Sequence, residues 1–338
     1  MSTNTKKILV TGVAGFLGSH LSERLISLGH KVVGIDNMLG GYKDNIPNNI
    51  EFHKGDCCNF EQVKQIMKDI DVVYHCAATA HEGLSVFSPY EITKNNYLAS
   101  VSIFSAAVNE KVKRIIFCSS MARYGDQVTP FTESMKPNPV DPYAISKVAA
   151  EEVLKNLCEL NGIEWVIAIP HNIIGPRQKY DDPFRNVVSI MINRMLQGKA
   201  PIIYGDGEQT RCFSYIDDCL SCLIPMLDQK NLNKEVINIG PDEEFVTINK
   251  ISEICSNVTG VNLKPIYKKD RPQEVKHATC SADKARELLN YKTKVNLRDG
   301  IQKTFEYIKS RGVRPFDYNI NIEINNDLTP STWKNKEV

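Results

Sequence analysis

Charge of one sign, long apolar runs, internal repeats and low-complexity tracts are all missing from this 338-residue chain. Each absence closes off a class of function. Lys and Arg number 41 against 40 Asp and Glu, a formal net charge of +1, so bulk electrostatics offers no grip on nucleic acid or on an anionic membrane surface. No stretch approaches the ~18 apolar residues of a spanning helix. Lys6-Lys7 runs straight into Ile8-Leu9-Val10 and a glycine-rich turn, which leaves no place for a signal peptide, so a cytoplasmic protein acting on small molecules is expected. The ten cysteines are scattered and in a reducing compartment read as small core residues. Cys219 and Cys222 have metal-ligand spacing but lack a second pair, and no metal site is expected.

What is present is regular alternation of short apolar runs with helical patterns. Strands are expected at Lys7–Val10, Lys31–Ile35, Ile50–Lys54, Asp71–His75, Arg114–Cys118, Trp165–Ile169 and Val236–Gly240, the pattern of a doubly wound parallel α/β sheet of Rossmann type. The first strand leads into Gly12-x-x-Gly15-x-x-Gly18 and a helix. In such a turn the first glycine permits the tight bend, the second lets backbone N–H groups approach a pyrophosphate, and the third allows close helix–strand packing. Asp36 closes the second strand 18 residues after Gly18, where a carboxylate accepts hydrogen bonds from an adenosine ribose and repels a 2′-phosphate, which favours NAD over NADP. Asp56 and the Ala77-Ala78 turn follow the third and fourth strands at the same sheet edge. Asn95-Asn96 is expected to open a helix over 97–108, with capping as one use of an asparagine there.

Pro142-Tyr143-Ala144-Ile145-Ser146-Lys147 begins another helix, with proline in its first turn and a phenol and an ammonium sharing one face. An ammonium near a phenol favours the phenolate and makes the oxygen a usable base. Ser120, at the end of the fifth strand, is placed to hydrogen-bond a substrate hydroxyl also reached by Tyr143. After residue 175 the alternation stops. Residues 1–175 with 213–242 are expected to form the NAD-binding domain, 176–212 with 243–314 a smaller α+β substrate domain, and 315–338 a polar tail, extended from Asn319 on but anchored in part through Phe316 and Trp333.

Gly12-x-x-Gly15-x-x-Gly18, Asp36, Asp56, Ser120 and Tyr143-x-x-x-Lys147, in this order, resemble the extended short-chain dehydrogenase/reductase family, and the similarity runs over roughly residues 6–312. Within that family the chain looks most like nucleotide-sugar 4-epimerases acting on UDP-hexoses. The resemblance implies NAD held by Gly12, Gly15, Phe16, Leu17, Gly18, Asp36, Asn37, Asp56, Cys57, Ala77, Ala78, Asn96, Tyr143 and Lys147. It implies catalysis by Ser120, Tyr143 and Lys147, and a nucleotide sugar contacted by Ser120, Asn172, Val187, Tyr204, Arg211, Arg271 and Ala278. Arg211 and Arg271 suit a pyrophosphate because guanidinium offers a fork of donors. A homodimer is implied as well, built from the helix after Asn96 and the helix carrying Tyr143. Dehydratases and uronate decarboxylases of the family place acids after the Ser120 position. Here Met121 and Ala122 follow, which favours an epimerase that proceeds through a transient 4-keto sugar.

Three features depart from the family pattern. His81 and Glu82 bring titratable groups to a loop beside the expected sugar pocket, where they are candidates for proton transfer at C5, an alternative that includes dehydration or net C4 oxidoreduction in a deoxysugar pathway. Arg123 replaces a small apolar residue, and Pro170-His171 stands where aromatic residues are usual. Ala278 falls near the position that gates the sugar C2 substituent. Its small side chain predicts room for the N-acetyl group of UDP-GlcNAc, UDP-GalNAc or a derivative.

Overall fold

The structure, a computed structural model, describes residues 5–338. Seven parallel strands form one sheet: β1 (Lys7–Thr11), β2 (Lys31–Asp36), β3 (Glu51–Lys54), β4 (Val72–His75), β5 (Arg114–Cys118), β6 (Glu164–Pro170) and β7 (Glu235–Ile239). Their spatial order is β7-β6-β5-β4-β1-β2-β3, so the chain reverses direction across the sheet between β1 and β4. That reversal opens a crevice at the strands' carboxyl ends. The strands are nearly continuous apolar runs because both faces are covered. Leu9, Val73, Ile115 and Ile167 face α2 (Ala99–Asn109) and α3 (Pro142–Asn161). Ile8, Val10, Val72, Tyr74 and Val166 face α1 (Phe16–Ser27) and the helix Ile216–Leu223.

Alternation of side chains across the pleat thus splits each strand between two cores. The second of these takes up Cys219 and Cys222, both wholly buried, with burial pushing the Cys222 thiol up to about 12. Among the described residues no cluster of His, Cys, Asp or Glu is arranged to hold a metal ion, and no helix is long and apolar enough to cross a membrane.

A smaller unit is built on α4 (Val187–Leu196), α5 (Ile248–Thr259) and α6 (Leu297–Arg311), whose apolar faces meet around Ile192, Ile203, Ile251 and Ile301. Short strands pair around this core: Ile202–Tyr204 parallel to Ile266–Lys268, and Thr210–Arg211 between Val246–Thr247 and His277–Ala278. Thr247 caps α5 by accepting from the Lys250 N–H at 3.1 Å. Gly260 ends it in the left-handed region at φ +71°, a position few other residues tolerate.

Two expectations are corrected here. The helical run expected over 97–108 does not open at Asn95-Asn96. It begins at Pro89, and Lys94–Leu98 is a π-helical turn set between Pro89–Thr93 and α2. Residues 319–338 are not an extended tail either, although the expected anchors are in place, Trp333 buried and Phe316 packed against the same cluster. The Asp317 N–H donates to the Asp181 carbonyl at 2.8 Å and the Glu323 and Ile324 N–H groups to Phe87 at 2.9 Å, while Thr332 meets the Tyr204 hydroxyl at 2.6 Å. Ile320, Trp333 and Val338 bury themselves against Leu84, Phe87 and Phe184. Periodicity cannot reveal this segment, because its apolar residues are widely spaced and their shared partners lie in distant segments of the chain.

Candidate active site

Two clefts meet at the carboxyl edge of the sheet. The first is lined by Gly12, Gly15, Phe16, Leu17, Gly18, Asp36, Asn37, Asp56, Cys57, Ala77 and Ala78, together with Thr79, His81, Asn95 and Arg185. Its floor depends on close backbone approach. A Cβ on Gly12, whose φ is +72°, falls 2.9 Å from the Ala77 Cα, and one on Gly18 falls within covalent-clash distance of the Gly12 carbonyl. Glycine is therefore obligatory at both positions. The Thr11 hydroxyl accepts from the Ala77 N–H at 3.0 Å and bonds His75 at 2.7 Å, fastening the ends of β1 and β4 together. Asp36 accepts from the Ala14 and Met38 N–H groups at 2.9 and 2.7 Å, and burial lifts its carboxyl above the ordinary value. Asp56 accepts from the Cys58 N–H at 2.8 Å, so it both makes the turn and lines the cleft.

The glycine cradle at the N-terminus of α1, with a carboxylate at the tip of β2, fits a dinucleotide. Asn96, expected on the cofactor, is placed elsewhere. It is fully buried in the π turn, where its amide donates to Thr79 and Ile92 carbonyls at 3.1 and 2.8 Å and accepts from the Thr79 N–H at 3.1 Å. It holds the cleft wall without lining it.

The second cleft carries Asn172, Val187, Tyr204, Arg211 and Arg271, with Glu82, Phe184, Gln209, Glu274 and Val338. Arg271 forks onto Glu274 at 2.7 and 3.0 Å and stacks over the Tyr204 ring at 4.8 Å. Burial opposes the Glu274 charge, but Arg271 holds its carboxyl below the ordinary value. Arg211 is anchored by donating to the Thr210, Lys276 and Val275 carbonyls at 2.7–3.1 Å. Asn172 donates to the Cys212 carbonyl at 3.0 Å. Arg185 lines both clefts.

Ala278 does not line this cleft. In the strand paired with Thr210–Arg211 its neighbour His277 bonds Thr210 at 3.0 Å on the exposed side, and alternation turns the Ala278 methyl into the core with Val275 and Cys280. The argument for an N-acetyl pocket built on its size therefore falls.

Ser120, Tyr143 and Lys147 are not among the residues lining either cleft, but Arg185, which lines both, and Glu82, which lines the second, act on the Tyr143 phenol through their charges. Asp141 caps α3 by accepting from the Ala144 N–H at 2.9 Å, which fixes Tyr143 in the first turn. Burial pushes the Tyr143 phenol up to about 12, against which a hydrogen bond from Ser120 pulls downward. Lys147 donates to the Cys118 carbonyl at 2.8 Å, and burial lowers its ammonium to about 8. The expectation that Lys147 makes the phenol acidic is thus corrected for the protein alone: desolvation dominates, and the lysine spends its reach on β5. Met121 is buried in the core.

Arg123 and His171 are also elsewhere than the sugar pocket. Arg123 is 3% exposed and pairs at 2.9 Å with Glu151, which is wholly buried. His171, wholly buried between β6 and Gly240, is held neutral by a basicity lowered to about 4. His81 is locked to Asp182 at 2.7 Å, both side chains 3% exposed. Of His81, Glu82, Arg123 and His171, Glu82 alone presents a free group to the second cleft.

Sequence reading missed Arg185 and Glu274. Glu274 carries a weak signal, an acid three residues after Arg271. Arg185 carries only its place before Asn186, whose side chain caps α4 by accepting from Val188.

The profile of the NAD dependent epimerase/dehydratase family matches residues 8–240. A Methanocaldococcus jannaschii protein, provisionally described as a UDP-glucose 4-epimerase, is 36% identical over 308 residues, 90% of this chain and 98% of its own. The crystal structure of Bacillus cereus UDP-glucuronic acid 4-epimerase with UDP-glucuronic acid and NAD superposes with a TM-score of 0.84 at 32% identity, covering 90% of this chain and 100% of that one. The Methanobrevibacter ruminantium UDP-N-acetylglucosamine 4-epimerase, in complex with UDP-N-acetylmuramic acid, gives 0.84 at 33% identity, covering 92% and 100%. With its glycine cradle, Ser120-Tyr143-Lys147 constellation and these matches, the chain belongs to the NAD-dependent epimerase/dehydratase family of extended short-chain dehydrogenase/reductases and is an enzyme of that family.

Proposed function

We propose that the protein is an NAD-dependent 4-epimerase of a UDP-linked hexose. The observation that carries this reading is the end of β5: Ser120 stands next to Tyr143, and the following position holds a core methionine in place of an acid. NAD, when bound in the first cleft, supplies the acceptor and later the donor of the C4 hydride, and its positive ring favours the phenolate. The Tyr143 oxygen takes the proton of the sugar 4-hydroxyl and returns it after the ring has turned. Ser120 holds that hydroxyl and the carbonyl that replaces it. Lys147, a buried ammonium one turn further along α3, keeps positive charge at this edge of the sheet.

Asn172, Val187, Tyr204, Arg211 and Arg271 hold the nucleotide, so the sugar is free to turn while the diphosphate stays fixed. UDP is favoured because the named relatives act on or bind UDP-sugars. Acceptance of UDP-GlcNAc rests only on likeness to the Methanobrevibacter ruminantium enzyme. We further infer a homodimer. Leu98 and Ile145, which are 51% and 53% exposed, flank α2 and α3 with an apolar face that a second copy would cover. Light scattering at twice the 38.1 kDa chain mass is the expected result.

The rival reading, dehydration or C5 inversion, needs an acid–base group at C5, and Glu82 is its candidate. A panel of UDP-, GDP- and dTDP-sugars separates the two. Interconversion of a pair of C4 isomers of equal mass, without added nicotinamide, is expected. A product lighter by one water would refute the proposal.

A further inference from the structure

The loop between β4 and the helix starting at Pro89 is fastened at almost every polar side chain. His81 is held by Asp182. Ser85 donates to the Glu82 carbonyl at 2.7 Å and to Asp141 at 3.1 Å, and Ser88 donates to the Asn321 carbonyl at 2.7 Å. Glu323 accepts from the Tyr90 and Glu91 N–H groups at 2.9 Å, so the C-terminal segment clamps the loop from the other side.

Within this rigid loop the Glu82 carboxylate makes no hydrogen bond or ion pair with any described residue, yet it lines the second cleft with Asn172, Arg211 and Arg271. A partly buried carboxylate without donors is costly, and a chain that fixes every neighbour while leaving this group free has positioned it for a ligand.

We propose that Glu82 determines the substrate class: its carboxylate accepts hydrogen bonds from neutral donors on the hexose, a hydroxyl or an amide N–H, and excludes hexuronates by like charge. The inference rests on the reading of the second cleft as a nucleotide-sugar site. Like-charge juxtaposition is an efficient way to reject an otherwise isosteric competitor, since a C6 carboxylate differs from a C6 hydroxymethyl group by little except its charge.

The groups facing Glu82 are Asp141 and Tyr143 on α3, Arg185 before α4, Arg211 on its short strand, and Arg271 with Glu274. Burial and Asp141 push the Glu82 carboxyl up to about 7, against the pull of Arg211 and Arg271. Repulsion of a uronate is therefore present above that value and lost as pH falls through it.

The test is equilibrium binding of UDP, UDP-glucose and UDP-glucuronate to the full-length protein and to Glu82→Gln between pH 6 and 8. Expected for the wild type at pH 8 is affinity for UDP-glucuronate about tenfold or more below that for UDP-glucose, with the gap narrowing toward pH 6. In Glu82→Gln the gap should close and lose its pH dependence, while UDP, which has no hexose, binds both proteins alike and reports an intact fold. Equal wild-type affinities for the two sugars, or an unchanged gap in Glu82→Gln, would overturn the inference even if C4 inversion is demonstrated. Failure of UDP itself to bind would overturn the site reading beneath it.

Discussion

Tyr143→Phe lowers kcat by about 10²–10⁴-fold, the range for loss of a positioned general acid–base group, and leaves affinity for UDP within twofold. The substitution removes one oxygen from a ring that is 6% exposed, so the packing that seats α3 against the sheet is retained. The side chains proposed to hold the nucleotide, Arg211 and Arg271 among them, lie on other elements. Steady-state kinetics together with calorimetry on UDP checks both halves. A variant that turns over at the normal rate would remove Tyr143 from the reaction, and one that loses UDP binding equally would make its role structural. Because the phenol lies near 12 in the protein alone, the wild-type rate should still be rising with pH above neutrality wherever NAD binding does not bring the phenol into the neutral range.

The second large effect is on stability. Arg123 and Glu151 form a buried ion pair whose carboxylate also accepts from the Ser119 hydroxyl, while the Arg123 guanidinium lies 5.0 Å over the Tyr124 ring. The Tyr124 hydroxyl in turn donates to Asn238 on β7 at 2.9 Å. The network ties the end of β5, from which Ser120 projects, to α3, which carries Tyr143. Removing one partner strands a charge in the interior, so Arg123→Ala should cost about 3–5 kcal/mol in denaturant unfolding. Replacing both, Arg123→Met with Glu151→Leu, should recover most of that loss, because no uncompensated charge remains. A single variant as stable as the wild type would show that the pair contributes nothing to the fold.

That pair illustrates which parts of the site are legible in the sequence. Gly12, Gly15, Gly18 and Asp36 declare themselves because their role is local: fixed spacing within one strand–turn–helix–strand unit. Tyr143 and Lys147 are equally plain, being one turn apart on one helix. Arg123 reads as an odd charge near the sugar, since only the fold reveals that α3 brings Glu151 beneath it. Asn96 reads as a cap, and its true place inside a π turn depends on Thr79, 17 residues away. Ala278 has the right sequence neighbourhood for a sugar contact, but its register against Arg211 turns it into the core. Residues 315–338 look like a tail because each apolar residue there finds its partner in a distant segment.

Local spacing therefore discloses the cofactor half of the site. In the substrate half, Asn172, Val187, Tyr204, Arg211 and Arg271 are reached through the family resemblance and line the second cleft, whereas the inward turn of Ala278 and the places of Arg185 and Glu274, set by register and loops of long sequence separation, become legible only in three dimensions.

The central claim is that hydride leaves and returns at C4 within one site, with no net redox change and no proton exchange on ring carbon. Its most direct test is turnover of a UDP-hexose in D₂O without added nicotinamide, with products resolved by mass and proton NMR. The account predicts a C4 epimer of unchanged mass carrying no deuterium at C4 or C5. Deuterium at C5, or a product lighter by water, would contradict it and turn attention to Glu82 as an acid–base group.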